Sequence, residues 1–308
     1  MEKYTGIISA QYQNLYQVYL PGNQQTISAR LSGKTRRSLR QAATMLVTGD
    51  RVLLDRNSDQ LGEGLIMDTL PRNNLLSRKE AGLKGRSQPL AANVDAALIC
   101  TSMNEEFNIS RLERYLALAD GAGIEAWLLL TKVDITADTA PYLARIASLK
   151  PRRKYILCSS MTGQGVEEVR NIVSGGKTAV LLGSSGVGKS SLVNALLGEE
   201  RLATSEISQY QAKGHHTTTT RELLMLPGGG YIIDTPGMRE LKLDTSDVQA
   251  GFQDILALAL GCRFRDCRHA LEPGCAVQAA VAAGTLEEKR LRNYLKLRLE
   301  EERLAAKR

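Results

Sequence analysis

The run Gly183-Ser184-Ser185-Gly186-Val187-Gly188-Lys189-Ser190 has the residue types and spacing that hold a nucleoside triphosphate. Its glycines let successive backbone N–H groups converge on phosphate oxygens where a Cβ would block approach. Lys189 supplies a point charge for the β- and γ-phosphates, and the Ser190 hydroxyl is placed for Mg²⁺, with Ser191 beside it. This run does not say which base is bound. A second reactive cluster, Cys262-x4-Cys267-x-His269-x5-Cys275, offers three thiolates and one imidazole within 14 residues. That donor set suits tetrahedral zinc, and four protein ligands close the shell, so the metal would be structural.

Three further stretches read as parts of the nucleotide site. Thr131-Lys132-Val133-Asp134 is similar to the guanine-reading Asn-Lys-x-Asp motif of the GTPase superfamily. A carboxylate at Asp134 can accept from the guanine N1–H and 2-amino group, which adenine does not offer, and the stem of Lys132 can lie over the base. Thr131 stands in place of Asn, which removes an amide that ties neighbouring loops and is expected to lower base affinity. Ser159-Ser160, followed by Gly163 and Gly165, resembles the loop whose backbone meets the guanine O6. The polar run Gly214-His215-His216-Thr217-Thr218-Thr219-Thr220 has the character of a first switch, in which a threonine hydroxyl binds Mg²⁺ and its N–H the γ-phosphate. Spacing leaves Thr217, Thr218 and Thr219 open, with Thr218 assigned. Asp234-Thr235-Pro236-Gly237 reads as the second switch, Asp234 holding Mg²⁺ through water and the Gly237 N–H meeting the γ-phosphate. Many GTPases place a glutamine next, to orient the attacking water. Here Met238 follows, so His216, ahead of His215, is the candidate to act in its place.

These groups need a scaffold. The apolar run Ala179–Leu182 predicts a strand entering the phosphate loop, and Leu192, Val193, Leu196 and Leu197 predict the helix leaving it. From residue 92, strand patterns at 94–100, 126–130 and 155–158 alternate with helix patterns at 109–118, 141–149 and 166–173, a parallel α/β sheet. Leu223–Leu226 and Tyr231–Ile233 predict a hairpin around Pro227-Gly228-Gly229-Gly230. Residues 1–70 read as about five short alternating strands, a small β-barrel of OB-fold type. Lys34, Arg36, Arg37 and Arg40 fall between its third and fourth strands, on an expected phosphate-gripping loop. Residues 71–91, with Pro71, Gly82, Gly85 and Pro89, predict a linker of mobile or partly ordered chain. The last helix, from about Leu286 to Ala306, shows an apolar stripe of Leu291, Leu295 and Leu299 with Tyr294 beside it.

The chain is therefore expected to be multidomain: an OB-fold at 1–70, a linker at 71–91, a P-loop α/β domain at 92–245, and a small α-helical zinc-binding domain at 246–308. Net charge is +7, distributed as +5 over residues 1–85, −1 over 86–249 and +3 over 250–308. A neutral nucleotide-binding middle between basic flanks suggests a polyanionic partner, most simply nucleic acid. No apolar run reaches the length of a membrane span, the start has no signal-peptide pattern, and five cysteines fit free thiols or metal ligands. The cytoplasm is the expected compartment.

The motif order is unusual, because the base-reading loops at 131–134 and 159–160 precede the phosphate loop and both switches. That order, Gly214-x-His216-Thr217-Thr218-Thr219, Asp234-Thr235-Pro236-Gly237 and the Cys262/Cys267/His269/Cys275 set together resemble the circularly permuted small ribosomal subunit biogenesis GTPases, the RsgA (YjeQ) family. The resemblance covers nearly the whole chain. It implies an OB-fold, a circularly permuted GTPase domain and a zinc domain. It implies GTP/GDP, Mg²⁺ and one Zn²⁺ as cofactors, and a catalytic role for His216. It also implies binding to the 30S ribosomal subunit and its 16S rRNA late in maturation, with subunit-stimulated hydrolysis driving release. A monomer without DNA or membrane partners is expected. Two alternatives differ in kind: an RNA-binding assembly scaffold that nucleotide merely stabilises, and a P-loop ATPase or small-molecule kinase.

Overall fold

The structure is a computed structural model that describes residues 2–60, 62–79, 87–105, 107–184, 186–200, 221–234, 251–270 and 272–306. Its first part is a closed barrel of β1 (Tyr4–Tyr12), β2 (Leu15–Leu20), β3 (Gln25–Leu31), β4 (Arg51–Leu54) and β5 (Gly64–Thr69), in the order β1-β2-β3-β5-β4. Alternation builds it. Tyr16, Val18 and Leu20, Ile27 and Ala29, and Val52 and Leu54 all point into one core. Between β3 and β4 the chain forms α1 (Gly33–Gln41), where a loop was expected. The Ser32 hydroxyl caps it by accepting from the Thr35 N–H. Lys34, Arg36, Arg37 and Arg40 thus lie on a helix, all four exposed.

The expected linker contains ordered strands on both sides of residues 80–86. β6 (Leu75–Lys79) and β7 (Ser87–Ala92) pair antiparallel, with Leu76 and Leu90 fully buried. Pro89 is accommodated opposite Ser77, where the register shifts. Arg72 fastens the ribbon's entry to the barrel through both oxygens of buried Asp50, at 2.6 and 2.7 Å. At the turn Thr48-Gly49-Asp50 the barrel meets the next unit. Gly49 has φ +93°, and a Cβ there would overlap the Ala92 carbonyl.

The central unit is a six-stranded sheet of β8 (Ala96–Ser102), β9 (Glu125–Thr131), β10 (Lys154–Leu157), β11 (Thr178–Leu182), β12 (Glu222–Met225) and β13 (Tyr231–Asp234). The order is β10-β9-β8-β11-β13-β12, parallel except for β12. The strands are buried on both faces. Ala97, Ile99, Leu128, Leu130, Val180 and Leu182 face one core, and Ala96, Leu98, Leu129, Ala179 and Leu181 the other. α2 (Ile109–Gly121) packs on the first face. α4 (Val166–Val173) and α5 (Lys189–Leu197) pack on the second, and α3 (Ala140–Ala147) connects β9 to β10.

The C-terminal part contains α6 (Gln253–Ala259), α7 (Ala276–Ala282) and α8 (Glu288–Ala306). Its buried residues Phe252, Ile255, Val277, Leu291, Tyr294 and Leu297 belong to the same hydrophobic cluster as the α2 face of the sheet. Of the expected stripe on α8, Leu291 and Tyr294 are buried and Leu295 packs against the same core, but Leu299 is not covered. Leu299 is 51% exposed, while Arg290, Leu291, Asn293, Tyr294 and Leu297 are buried. Spacing of leucines alone could not show that two polar residues share the buried face. Among the described residues, no helix is long and apolar enough to cross a membrane.

Candidate functional site

The phosphate loop leaves the C-terminal edge of β11, a strand buried along its length between β8 and β13. Gly183 sits at φ +144°, and a Cβ there would come within 2.6 Å of the Cys100 carbonyl oxygen. Gly186 and Gly188 also have positive φ, and Gly188 leads directly into α5. Around Gly186 the space that a Cβ would occupy is open. Positive-φ glycines with open space at Gly186, leading into the N-terminus of α5, are what a chain of phosphates needs. Lys189 arches back over this loop, its Nζ donating to the carbonyls of Gly183 at 2.9 Å and Ser184 at 2.6 Å. Burial lowers the pKa of its ammonium. The Cys100 thiol and the Asp234 carboxylate act in the opposite sense, but burial pushes the thiol up to about 12, so it is neutral at ordinary pH. Ser190 and Ser191 lie half-buried in the first turn of α5. Asp234 ends β13, paired in register with Leu181 one strand away. Ser190 and Asp234 are thus the described residues that could hold Mg²⁺.

The base-reading candidates sit on the neighbouring strand ends. β9 finishes at Thr131, Lys132 takes a left-handed φ of 62°, and Asp134 is exposed in the 3-10 turn Val133–Ile135. The Val133 N–H donates to the Cys158 carbonyl at 3.3 Å, which sets this turn beside Ser159 and Ser160. Ser159 is buried, its hydroxyl accepting from the N–H groups of Met161 and Thr162, both at 3.2 Å.

Thr131 makes a tie of its own between neighbouring loops. Its hydroxyl donates to the Val187 carbonyl at 2.6 Å and lies 3.2 Å from the Thr101 carbonyl. The hydroxyl therefore ties the end of β9 to the phosphate loop, the kind of tie an amide was expected to make. Thr131→Val keeps the shape but leaves buried carbonyls without this donor, a penalty of about 1–3 kcal/mol. We expect GTP affinity to fall about tenfold by equilibrium titration, with Thr131→Asn close to wild type. Equal affinities for Thr131→Val and wild type would remove this role.

Ser185, His216, Thr218 and Gly237 lie outside the described residues. Sequence reasoning missed a contact at the loop's second residue. Arg111 on α2 donates to the Ser184 hydroxyl, which also shares a hydrogen bond with Tyr115. Nothing local marks either residue, because only the fold brings α2 to the loop.

The four candidate zinc ligands come together. Their donor atoms all lie within 4.8 Å of one another. Cys262 Sγ is 3.8 Å from Cys275 Sγ, and His269 Nδ1 is 3.6 and 3.5 Å from those two sulfurs. A tetrahedral zinc with ordinary bond lengths requires edges of about 3.8 Å between sulfurs and about 3.6 Å from sulfur to nitrogen. The residues present thus fit the ion.

The model of the RsgA GTPase family matches residues 69–244, more than half of the chain. The chain belongs to the RsgA GTPase family. Members are similar over nearly its full length. The small ribosomal subunit biogenesis GTPase RsgA 2 of Lactiplantibacillus plantarum is 41% identical over 295 residues, covering 96% of this chain and 82% of the relative. The RsgA of Methanosarcina acetivorans is 38% identical over 294 residues, covering 95% and 78%. The crystal structure of YjeQ from Thermotoga maritima superposes with a TM-score of 0.71 at 28% identity, covering 96% of this chain and 97% of that one. The structure of YloQ, a circularly permuted GTPase, gives 0.67 at 24% identity, covering 97% and 95%, a likeness of fold. As an RsgA-family member this chain is a P-loop GTP hydrolase, for which the family implies GTP, GDP and Mg²⁺. Its architecture is a barrel, a circularly permuted GTPase sheet and a helical part with a zinc-compatible cluster.

Proposed function

We propose that this GTPase binds the 30S ribosomal subunit through 16S rRNA late in its maturation, and that subunit-stimulated hydrolysis of GTP to GDP and phosphate drives its release. What supports the reading is a P-loop GTPase unit flanked in sequence by two groups of exposed basic side chains. Lys34, Arg36, Arg37 and Arg40 present one on α1, and Arg263, Arg265, Arg268 and Lys289 the other around the metal cluster. Small-subunit biogenesis is also the role named for its relatives.

In this reading the backbone of 183–190 cradles the phosphates and Lys189 neutralises developing charge on them. Asp134 selects guanine, with Thr131, Lys132, Ser159 and Ser160 shaping the base pocket. Ser190, Thr218 and Asp234 hold Mg²⁺, Gly237 meets the γ-phosphate, and His216 positions or accepts a proton from the attacking water, since Met238 cannot. The zinc ligands brace the C-terminal module. The division at residues 70, 91 and 245 gives the RNA-facing barrel, its connection, the GTPase unit and that module. The protein acts as a monomer in the cytoplasm, without DNA or membrane partners.

Steady-state hydrolysis of GTP and of ATP, each with and without purified 30S subunits, tests the reading. Stimulation of at least tenfold is expected for GTP alone, and His216→Ala should abolish most of it. Tight 30S binding with no stimulation would favour the scaffold alternative, and ATP turnover would favour the ATPase.

A further inference from the structure

We propose that α2 is a strut through which the metal-bearing C-terminal module positions the phosphate loop. In this arrangement Arg290 and Glu113 are the positioning residues at its outer face and Arg111 the one at its inner face. The inference rests on the GTPase reading and names how that same site is regulated.

The outer joint is built from buried charge. Arg290 on α8 is 6% exposed, and its guanidinium reaches four groups. It donates to Asp254 at 2.7 and 2.6 Å, to Glu113 on α2 at 2.7 Å, and to the carbonyls of Lys150 and Gly251, each at 3.1 Å. It also lies 4.7 Å from the centre of the Phe252 ring. The second oxygen of Glu113 accepts from Asn293, one turn along α8. Burial pushes the Glu113 carboxyl up, and Arg290 and Asn293 oppose this. A planar fork that satisfies two carboxylates and two carbonyls fixes orientation in a way that apolar packing would not.

The two faces of α2 carry the joints separately. Residues four apart share a face of a helix, and the residue midway between them points away. Arg111 and Tyr115 meet Ser184 of the phosphate loop. Glu113 and Ala117 meet the C-terminal module. At Gly251 a Cβ would come within 2.6 Å of the Ala117 Cβ, so the backbone there rests directly on the helix. Beyond Arg290 the contact chain continues to the metal cluster. The Phe252 and Tyr294 rings are 5.5 Å apart, Tyr294 and His269 6.4 Å, and Arg298 donates to the Cys267 carbonyl at 3.4 Å. The module begins directly after the segment expected to hold the second switch. A partner that shifts the module would therefore move α2, and with it Ser184.

The test is a double-mutant cycle in the full-length zinc-loaded chain, reading GDP dissociation with a fluorescent guanine nucleotide and kcat against KM for GTP. Arg111→Ala and Glu113→Gln should each speed GDP release about tenfold. In the Arg111→Ala background, Glu113→Gln should add less than twofold, because the inner joint is already open. Arg290→Lys keeps the charge but loses the fork, and should behave like Glu113→Gln. Fully additive effects would overturn the strut, as would folded variants whose GDP release is unchanged. Where Arg290→Lys fails to fold, the Arg111 and Glu113 pair decides. Wild-type GTP hydrolysis, measured alongside, tests the functional reading itself. If it is intact, additive variants overturn only the strut.

Discussion

Lys189→Ala is expected to lower kcat/KM for GTP by about 10²–10³-fold or more, the scale of losing one preorganised charge at a reacting centre. The geometry argues for the upper end. The ammonium is held over the loop by two carbonyls and is partly desolvated, which is why its pKa is lowered. A charge in such surroundings is screened less than one in water, so its removal costs more. Loop N–H groups and the N-terminus of α5 remain in the variant, so nucleotide binding should weaken less than turnover. Single-turnover hydrolysis and nucleotide titration separate the two. A loss below about threefold in both would show that the phosphates do not sit against Lys189.

The second large effect is expected on stripping zinc, or on Cys275→Ser. Structural zinc sites contribute on the order of 10 kcal/mol to small modules that cannot fold without them. Here part of that contribution is supported by packing, because Phe252, Val277, Leu291 and Tyr294 share a core with α2 and the sheet. We therefore expect a net loss of about 4 kcal/mol, seen as a fall in Tm on the order of 10 °C. Cys275 has a second duty, since its sulfur accepts from the Gln278 N–H at 3.4 Å and caps α7. Cys275→Ser should retain that cap in part while losing the metal. Metal analysis should return one zinc per wild-type chain. A purified chain without zinc whose Tm ignores chelator would rule the metal out as a structural element. If the strut of α2 operates, chelation should also speed GDP release.

Several elements were legible because their signals are local. A phosphate loop needs glycines, a lysine and a serine at near-fixed spacing, and short-range geometry dictates that spacing. The zinc ligands lie within 14 residues, so their convergence is mostly a matter of turns. Alternation at period two marked the barrel strands, and fully apolar runs marked strands covered on both faces, as β8 and β11 are. The order of motifs along the chain was enough to indicate the permutation.

What the tertiary structure alone decided involves pairs distant in sequence. Arg290 and Glu113 are 177 residues apart, and the leucine stripe on α8 does not show that Arg290 and Asn293 share its buried face or that Leu299 leaves it. Helical periodicity records where apolar residues fall, while a buried arginine is legible only once its carboxylates are in place. The basic stretch at 34–40 suggests a loop by its charge, whereas the structure folds it as α1, capped by Ser32. The breakers of the connector are local signals, whereas Leu76 and Leu90 are held by distant packing. Thr131 looked like a lost amide until the fold set its hydroxyl against Val187, 56 residues away. Local spacing determined which chemistry this chain carries. Long-range burial, which no short window of sequence contains, decided how its parts are joined to that chemistry.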